Sequence, residues 1–340
     1  IENCIIRNNV STDWGGGIYI IADDVILRNL LIYDNTANDG SGIAIGSTNV
    51  KIINSVVAKN NGDGLWFENG SSIDLINSIF YGNTDLQVEI RDSGNPCTIS
   101  VFYSNLEGGQ DSLVTNNNGT VTWGIGNIDI DPMFVDSANG NYHLLASSHC
   151  ISGGHPDSTD SDGSRADMGA YPYLNSYTGP TWYITESGND TTGTGASNDP
   201  FRSIQSGINF SSNTDSVTVA AGTYVENINF RGRNIKVAGV DRETTIIDGD
   251  QSGSVATFDN GEDVTAVLSG FTLTNGSGTL EASNYKGGGI YINNAAPLIS
   301  DCIITENIAE HGAGIALLQD NAVIDNVIIN ANTADQGGAI

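Results

Sequence analysis

Asn3-Cys4-Ile5-Ile6-Arg7-Asn8-Asn9, Asn29-Leu30-Leu31-Ile32-Tyr33-Asp34-Asn35, Asn54-Ser55-Val56-Val57-Ala58-Lys59-Asn60 and Asn77-Ser78-Ile79-Phe80-Tyr81-Gly82-Asn83 are four copies of one segment. Their first asparagines stand 26, 25 and 23 residues apart, and a second asparagine follows each by six. Three copies are followed by a glycine-led apolar triplet: Gly17-Ile18-Tyr19, Gly42-Ile43-Ala44 and Gly64-Leu65-Trp66. Two asparagine ladders in one phase mark a repeat of strand, Asn turn, polar loop, Gly turn and strand.

A unit of this length holds two or three short strands with their turns, which is one circuit of a triangular coil. Circuits stacked at about 4.8 Å pair each strand with its equivalents above and below, so parallel sheets run along the coil. Inward Ile, Val, Leu and Phe then stack on their own kind. Each such burial contributes about 1.5 to 3 kcal/mol against the cost of ordering the backbone. Asparagine tolerates the left-handed turn conformation, and its amide can bond to the asparagine of the next circuit. Glycine at the other corner permits positive φ. The ladder residues Asn3, Asn29, Asn54, Asn77, Asn9, Asn35, Asn60, Asn83, Asn307 and Asn332 are therefore read as structural. A leucine-rich horseshoe shares the period and an Asn ladder. It is rejected because Leu does not dominate the apolar residues and no repeat contains a helical return.

Composition agrees with an all-β chain. Its 340 residues include 42 Gly, and only 15% are charged, whereas β-branched and turn residues abound. The 40 acidic against 12 basic residues give a net charge of −28, which leaves no basic patch to release phosphate counterions and excludes nucleic acid as an expected partner. No apolar run approaches the roughly 18 residues of a membrane span. Four cysteines are too few for a disulfide framework. Cys4 and Cys302 occupy equivalent slots and are expected to be buried free thiols, while Cys97 and Cys150 fall in irregular segments and could pair in an oxidising compartment.

Along the chain the repeat degenerates after residue 90. Short strands are expected in Asp131-Pro132-Met133-Phe134-Val135-Asp136 and Tyr142-His143-Leu144-Leu145, around Asn139-Gly140. The polar stretch 152–167 and the linker from Tyr171 to Pro180 mark a boundary. After Trp182-Tyr183-Ile184 comes one amphipathic helix near 200–210, opened by Pro200, with Asp199 as N-cap and Phe201, Ile204 and Ile208 on one face. It reads as a capping helix. From Gly287 the opening pattern returns, with Ile290, Ile315 and Ile340 spaced by 25 and Asp301 and Asn326 in the first Asn slot. The chain begins and stops in mid-unit. Residues 1–174 are expected to be the C-terminal part of one coil with its closing segment, and 175–340 the N-terminal part of a second. The sequence expectation is a window on a longer tandem array or a unit that stacks end to end.

The tetrads Gly15-Gly16-Gly17-Ile18, Gly287-Gly288-Gly289-Ile290 and Gly337-Gly338-Ala339-Ile340, with their Ile-rich strands and Asn pairs, resemble right-handed parallel β-helix repeat proteins of the pectin-lyase-like superfamily. They are especially similar to polymorphic outer-membrane-protein repeats. Residues 188–205 with Ala220-Ala221-Gly222-Thr223-Tyr224 resemble the start of secreted bacterial β-helix domains, and residues 131–136 and 162–171 resemble their close. The resemblance implies a right-handed solenoid and a secreted or cell-surface location. It spans lyases, hydrolases, adhesins and structural surface proteins.

Lyases of this superfamily use a basic Arg or Lys beside calcium-binding carboxylates, for which Arg231, Arg233, Lys236 and Arg242 are the candidates. Hydrolases use several carboxylates on one face, and Asn213-Thr214-Asp215 and Asp23-Asp24 match two short polygalacturonase signatures in the wrong order. His155 and His311 stand in Gly-rich turns with no evident nucleophile. No catalytic constellation emerges. Asp157, Asp160, Asp162 and Asp167 around Gly163 resemble part of a calcium loop, so calcium is the one candidate cofactor. The expectation is a non-catalytic extracellular structural or adhesive β-helix, a rod or filament component at a bacterial surface. Its partners would be copies of itself or adjoining repeats stacked end to end, and surface polysaccharide. The alternative is a polysaccharide lyase or glycoside hydrolase on the same scaffold.

Overall fold

Ile5–Arg7, Ile18–Ile20 and Val25–Arg28 are the three strands of the first circuit, and each begins a parallel sheet of five. The computed structural model describes residues 1–340 except Asp23, Ser93, Gln319 and Asp320, and the chain divides into two compact units, Ile1–Leu174 and Asn175–Ile340. In the first unit the first sheet continues through Leu31–Tyr33, Val56–Ala58, Ile79–Tyr81 and Asn105–Leu106. The second continues through Ile43–Gly46, Leu65–Glu68, Val88–Ile90 and Leu113–Val114. The third continues through Asn49–Ile53, Ser72–Ile76, Cys97–Phe102 and Gly119–Trp123. The chain is an all-β parallel solenoid. Strict register stacks like on like, with Ile6, Ile32, Val57, Phe80 and Leu106 in one column and Leu27, Ile52, Leu75, Val101 and Trp123 in another. These inward columns form one continuous core.

The corners divide labour between the two ladders. Asn3, Asn29, Asn54 and Asn77 hold φ of 55°, 52°, 47° and 51°, the left-handed conformation that asparagine tolerates better than most residues. The expected amide column is only partly made there. Asn29 Nδ2 donates to Asn3 Oδ1 at 3.0 Å, but Asn54 Oδ1 is buried without a partner and Asn77 Oδ1 accepts from the His155 amide. The second slot carries the column instead. Asn9, Asn35 and Asn60 each donate Nδ2 to the next asparagine's Oδ1, at 3.0, 3.0 and 2.9 Å, and that same oxygen also accepts the donor's backbone N–H. Asn307 and Asn332 repeat the arrangement in the second unit. A serine column lies beside it: Leu30, Ser55 and Ser78 donate their amides to Oγ of Ser55, Ser78 and Ser104. At the other corner a Cβ on Gly42 would stand 2.4 Å from the Gly64 carbonyl oxygen, so circuits stack this closely only over glycine.

Residues 131–170 lie along the outer face of the first sheet. Phe134–Asp136 and Asn141–Leu144 form an antiparallel hairpin whose Tyr142 packs on Tyr33 at 4.9 Å, and Gly169 comes against Val56 and Ile79. The reason is legible in the strands themselves. Leu31, Val56 and Ile79 point away from the core yet are apolar, and a sheet apolar on both faces needs a second cover.

The second unit repeats the scheme with a six-stranded first sheet from Thr181–Ile184 to Val323–Asp325, a five-stranded second sheet from Gly222–Val225 to Ile328–Asn330, and a four-stranded third from Ile228–Asn229 to Ile315–Leu318. A hairpin, Thr279–Glu281 with Asn284–Lys286, adds a fourth sheet. The helix α1 spans Ile204–Phe210 and starts after Ser203, not at Pro200. Asp199 is not its cap, because its carboxylate accepts from Thr194. Two remote carboxylates serve the helix start. Asp190 accepts from the Arg202 and Ser203 amides, and Glu226 from those of Ile204 and Gln205, which satisfies the amides that a helix leaves open. Phe201, Ile204 and Ile208 are all buried.

The cysteines are free thiols. Cys97 and Cys150 do not pair: Cys97 lies in the third sheet, and Cys150 Sγ accepts from Asn105 Nδ2. Cys302 is buried, but Cys4 is exposed, because its circuit has a neighbour on one side only.

Candidate functional site

Among the described residues, the basic groups expected from lyases and the acidic groups expected from hydrolases are engaged at separate places. Arg231 donates Nη1 to Asn209 Oδ1, and Arg233 donates Nε and Nη2 to the Ser211 and Asn209 carbonyls. Both cations thus hold the C-terminal end of α1, where the peptide dipoles favour positive charge. Lys236 is exposed on its strand, and Arg242 donates to the Asn326 carbonyl. Asp215 accepts from Trp182 Nε1 and the Ser212 amide, while Asn213 accepts from the Asn234 amide. Asp24 sits in a turn with φ of 55°, and Asp23 lies outside the described residues. His155 packs edge-on to Tyr103 and accepts the Asp157 amide on Nδ1, and His311 ends the strand Ile308–His311.

Of the four aspartates of the expected calcium loop, Asp160, Asp162 and Asp167 turn their carboxylates to the chain itself, and Asp157 is exposed. Asp167 is 4% exposed, its Oδ1 accepts the Ser152 amide and its Oδ2 the Tyr173 amide, and burial pushes its carboxyl up to about 7. Asp160 accepts the Asp167 amide and is pushed up to about 6, again by burial. Asp162 accepts the amide and hydroxyl of Ser164. Among the described residues no group of three or more His, Cys, Asp or Glu side chains is arranged to hold a metal ion.

A different surface gathers chemistry: the outer face of the first unit's second sheet. Register places Tyr19, Ala44, Trp66 and Glu89 in one outward column. Ala44 is small, which leaves the space between Tyr19 and Trp66 to the ring of Trp14. That ring stacks on Trp66 at 6.0 Å and 19° and lies 5.8 Å from Tyr19. Trp14 is fixed from the side by its Nε1–H bond to Asp39 Oδ2 at 3.1 Å. Tyr19 is 44% exposed and Trp66 only 4%, so Trp14 and Tyr19 present the rings to solvent. Arg91, paired with Glu68, lies over the Trp66 ring at 6.0 Å.

Carboxylates crowd this strip. Glu89 is raised above the usual range by burial and by the nearby charges of Asp39, Asp85 and Asp92, with an opposing hydrogen bond from Asn116. Asp63 is pushed up to about 6, by burial first and by Glu89 and Asp85 in lesser measure. It accepts the Leu86 amide and is 3% exposed, so it organises the loop and offers no acid to solvent. Aromatic faces beside carboxylate acceptors suit a ligand with an apolar C–H face and hydroxyl donors.

Residues 1–129 match the family described as "Right handed beta helix region", and residues 186–231 match "Protein of unknown function (DUF1565)". The first match contains the aromatic strip, and the second spans α1 with its Asp190 and Glu226 carboxylates. No curated protein and no solved structure matches the chain.

Proposed function

We propose, from the premise that this chain is a right-handed parallel β-helix repeat protein, that it is a non-catalytic structural and adhesive element of a bacterial surface. In this reading Trp14 and Tyr19, backed by the buried ring of Trp66, hold a neutral glycan. The carrying observation is that strip, an aromatic platform on a rigid sheet flanked by Asp39 and Glu89. Sugar C–H faces pack on the rings and sugar hydroxyls donate to the carboxylates. The net charge of −28 favours neutral over acidic polysaccharides, since like charges repel across any approach. Similarity of the Gly-rich tetrads to outer-membrane-protein repeats supports the surface location. End-to-end stacking with an adjoining stretch or another copy belongs to the same reading, since parallel circuits pair edge to edge.

The test is binding to a panel of neutral and acidic polysaccharides by affinity electrophoresis. Retardation by a neutral glycan is expected, and Trp14→Ala should weaken it about tenfold, the worth of one good aromatic contact. Equal retardation of both proteins would remove the strip from the proposal. Release of reducing ends or unsaturated sugars from any polysaccharide would instead favour the enzyme alternative.

A further inference from the structure

Six asparagines precede a glycine: Asn61, Asn69, Asn118, Asn139, Asn260 and Asn275. At such a pair the glycine nitrogen can attack the side-chain amide carbon of the asparagine, because no Cβ shields it and the glycine backbone turns freely. The fold holds that nitrogen back at four of the six. Gly62 donates its N–H to the Asn60 carbonyl at 3.1 Å, Gly70 to the Asn95 carbonyl at 2.9 Å, Gly140 to the Ser137 carbonyl at 3.4 Å and Gly276 to Asn307 Oδ1 at 2.8 Å. Gly119 opens the strand Gly119–Trp123. There the Asn118 carbonyl accepts the Cys97 amide at 3.0 Å and Asn118 Nδ2 donates to the Arg91 carbonyl at 2.9 Å, so backbone and side chain of that asparagine are both fixed in the sheet.

Asn260-Gly261 differs from all of these. Both residues are exposed in the turn between Ala256–Phe258 and Val267–Ser269, and the Gly261 N–H donates to no group among the described residues. Gly261 holds φ of 80°, and nothing lies within 4 Å of the place its Cβ would take, so the attacking nitrogen and the side chain have room to turn toward each other. Asn260 is tied by its own N–H to Glu262 Oε2 at 3.0 Å and by its side-chain amide to Asp259. Neither bond involves the nitrogen that attacks.

We propose that Asn260 is a site of spontaneous deamidation, with water as the co-reactant. The Gly261 nitrogen loses its proton to hydroxide and forms a bond to Asn260 Cγ. The Cγ–Nδ2 bond breaks, and Nδ2 takes a proton from water and leaves as ammonia. Water then opens the five-membered imide at either carbonyl, which gives aspartate or isoaspartate at this position. Either product adds a negative charge beside Asp259, Glu262 and Asp263, and isoaspartate also lengthens the backbone of the turn. Glu262 is 1% exposed, and its carboxylate accepts the Asn260 amide at 3.0 Å and the Gly232 amide at 2.7 Å, so the change falls on a corner that joins two circuits.

The test holds the intact folded chain at mildly alkaline pH and follows all six pairs by peptide mapping with mass spectrometry, with isoaspartyl methyltransferase labelling to count isoaspartate. Asn260 should convert at least about fivefold faster than the four pairs whose glycine amide is bonded, the worth of the one hydrogen bond that each of those must first give up. It should also lead Asn118. In the urea-denatured chain the six should convert at comparable rates, since all share the same local chemistry. Asn260→Gln should remove the leading product of the folded chain and leave the other five rates unchanged. A folded chain in which another pair leads or none converts, or whose ranking matches that of the denatured chain, overturns the proposal.

Discussion

Asn60→Ala is expected to destabilise the first unit by about 3 to 5 kcal/mol, because it leaves several buried polar groups without partners at once. Asn60 is fully buried. Its Oδ1 accepts both the backbone N–H and the Nδ2 of Asn35, and its Nδ2 donates to the Ile32 carbonyl and to Asn83 Oδ1. Alanine fills none of these roles, and water cannot replace them between stacked circuits. The neighbouring slot provides the contrast. Asn9 ends the column, is exposed, and only donates, to Asn35 Oδ1, so Asn9→Ala should cost less than about 1 kcal/mol. Urea unfolding of the two variants measures the difference. Equal stabilities would mean that the asparagine column contributes no more than its exposed end does.

The same column shows why the solenoid was legible in the sequence. A stacked circuit forces chemically equivalent atoms to recur at one interval, so any residue needed for the stacking repeats at that interval, and Asn9, Asn35, Asn60 and Asn83 did. The serine column was less visible because only Ser55, Ser78 and Ser104 occupy it, while Leu30 and Cys4 stand in the same slot of earlier circuits. The cover over the first sheet left a signal too, in consecutive apolar pairs such as Val56-Val57 that exceed the alternation of a sheet with one wet face. The start of α1 was misread for a physical reason. Asp199 and Pro200 carry the local signature of a helix start, but the carboxylates of Asp190 and Glu226 arrive from outside the segment and move that start to Ser203.

The aromatic strip was half legible. Tyr19, Ala44 and Trp66 are the third residues of the three glycine-led triplets, so their common column follows from the repeat alone. Trp14 does not follow from it, since it lies in a polar loop whose path no periodicity sets. Its place depends on the Asp39 bond and on the gap above Ala44. A recess of about 380 Å³ beneath the hairpin was not legible at all, because it joins Lys59 and Tyr81 to residues fifty or more positions later through a cover that breaks the repeat.

Acidification from about pH 8 to about pH 4 is expected to stabilise both units, against the usual expectation that carboxylates favour folding when ionised. Asp167 and Glu226 each stand at about 7 in the folded chain, from ordinary values of 3.8 and 4.5, with burial the leading cause in both. Asp63 and Asp160 stand at about 6. The sign follows from proton counting. Between the unfolded and folded values the folded chain holds the proton and the unfolded chain does not, so stability is full below about pH 4 and is lost as pH rises through 6 to 7. For Asp167 alone the shift corresponds to about 4 kcal/mol, and for Glu226 to about 3 kcal/mol. Relief of repulsion among 40 acidic side chains acts in the same direction. Calorimetry across this range should show melting temperatures rising in acid, and carbon-detected NMR should place the Asp167 carboxyl midpoint near 7. A midpoint at or below 4 would mean that the Ser152 and Tyr173 amides outweigh burial, and the acid stabilisation assigned to Asp167 would then vanish.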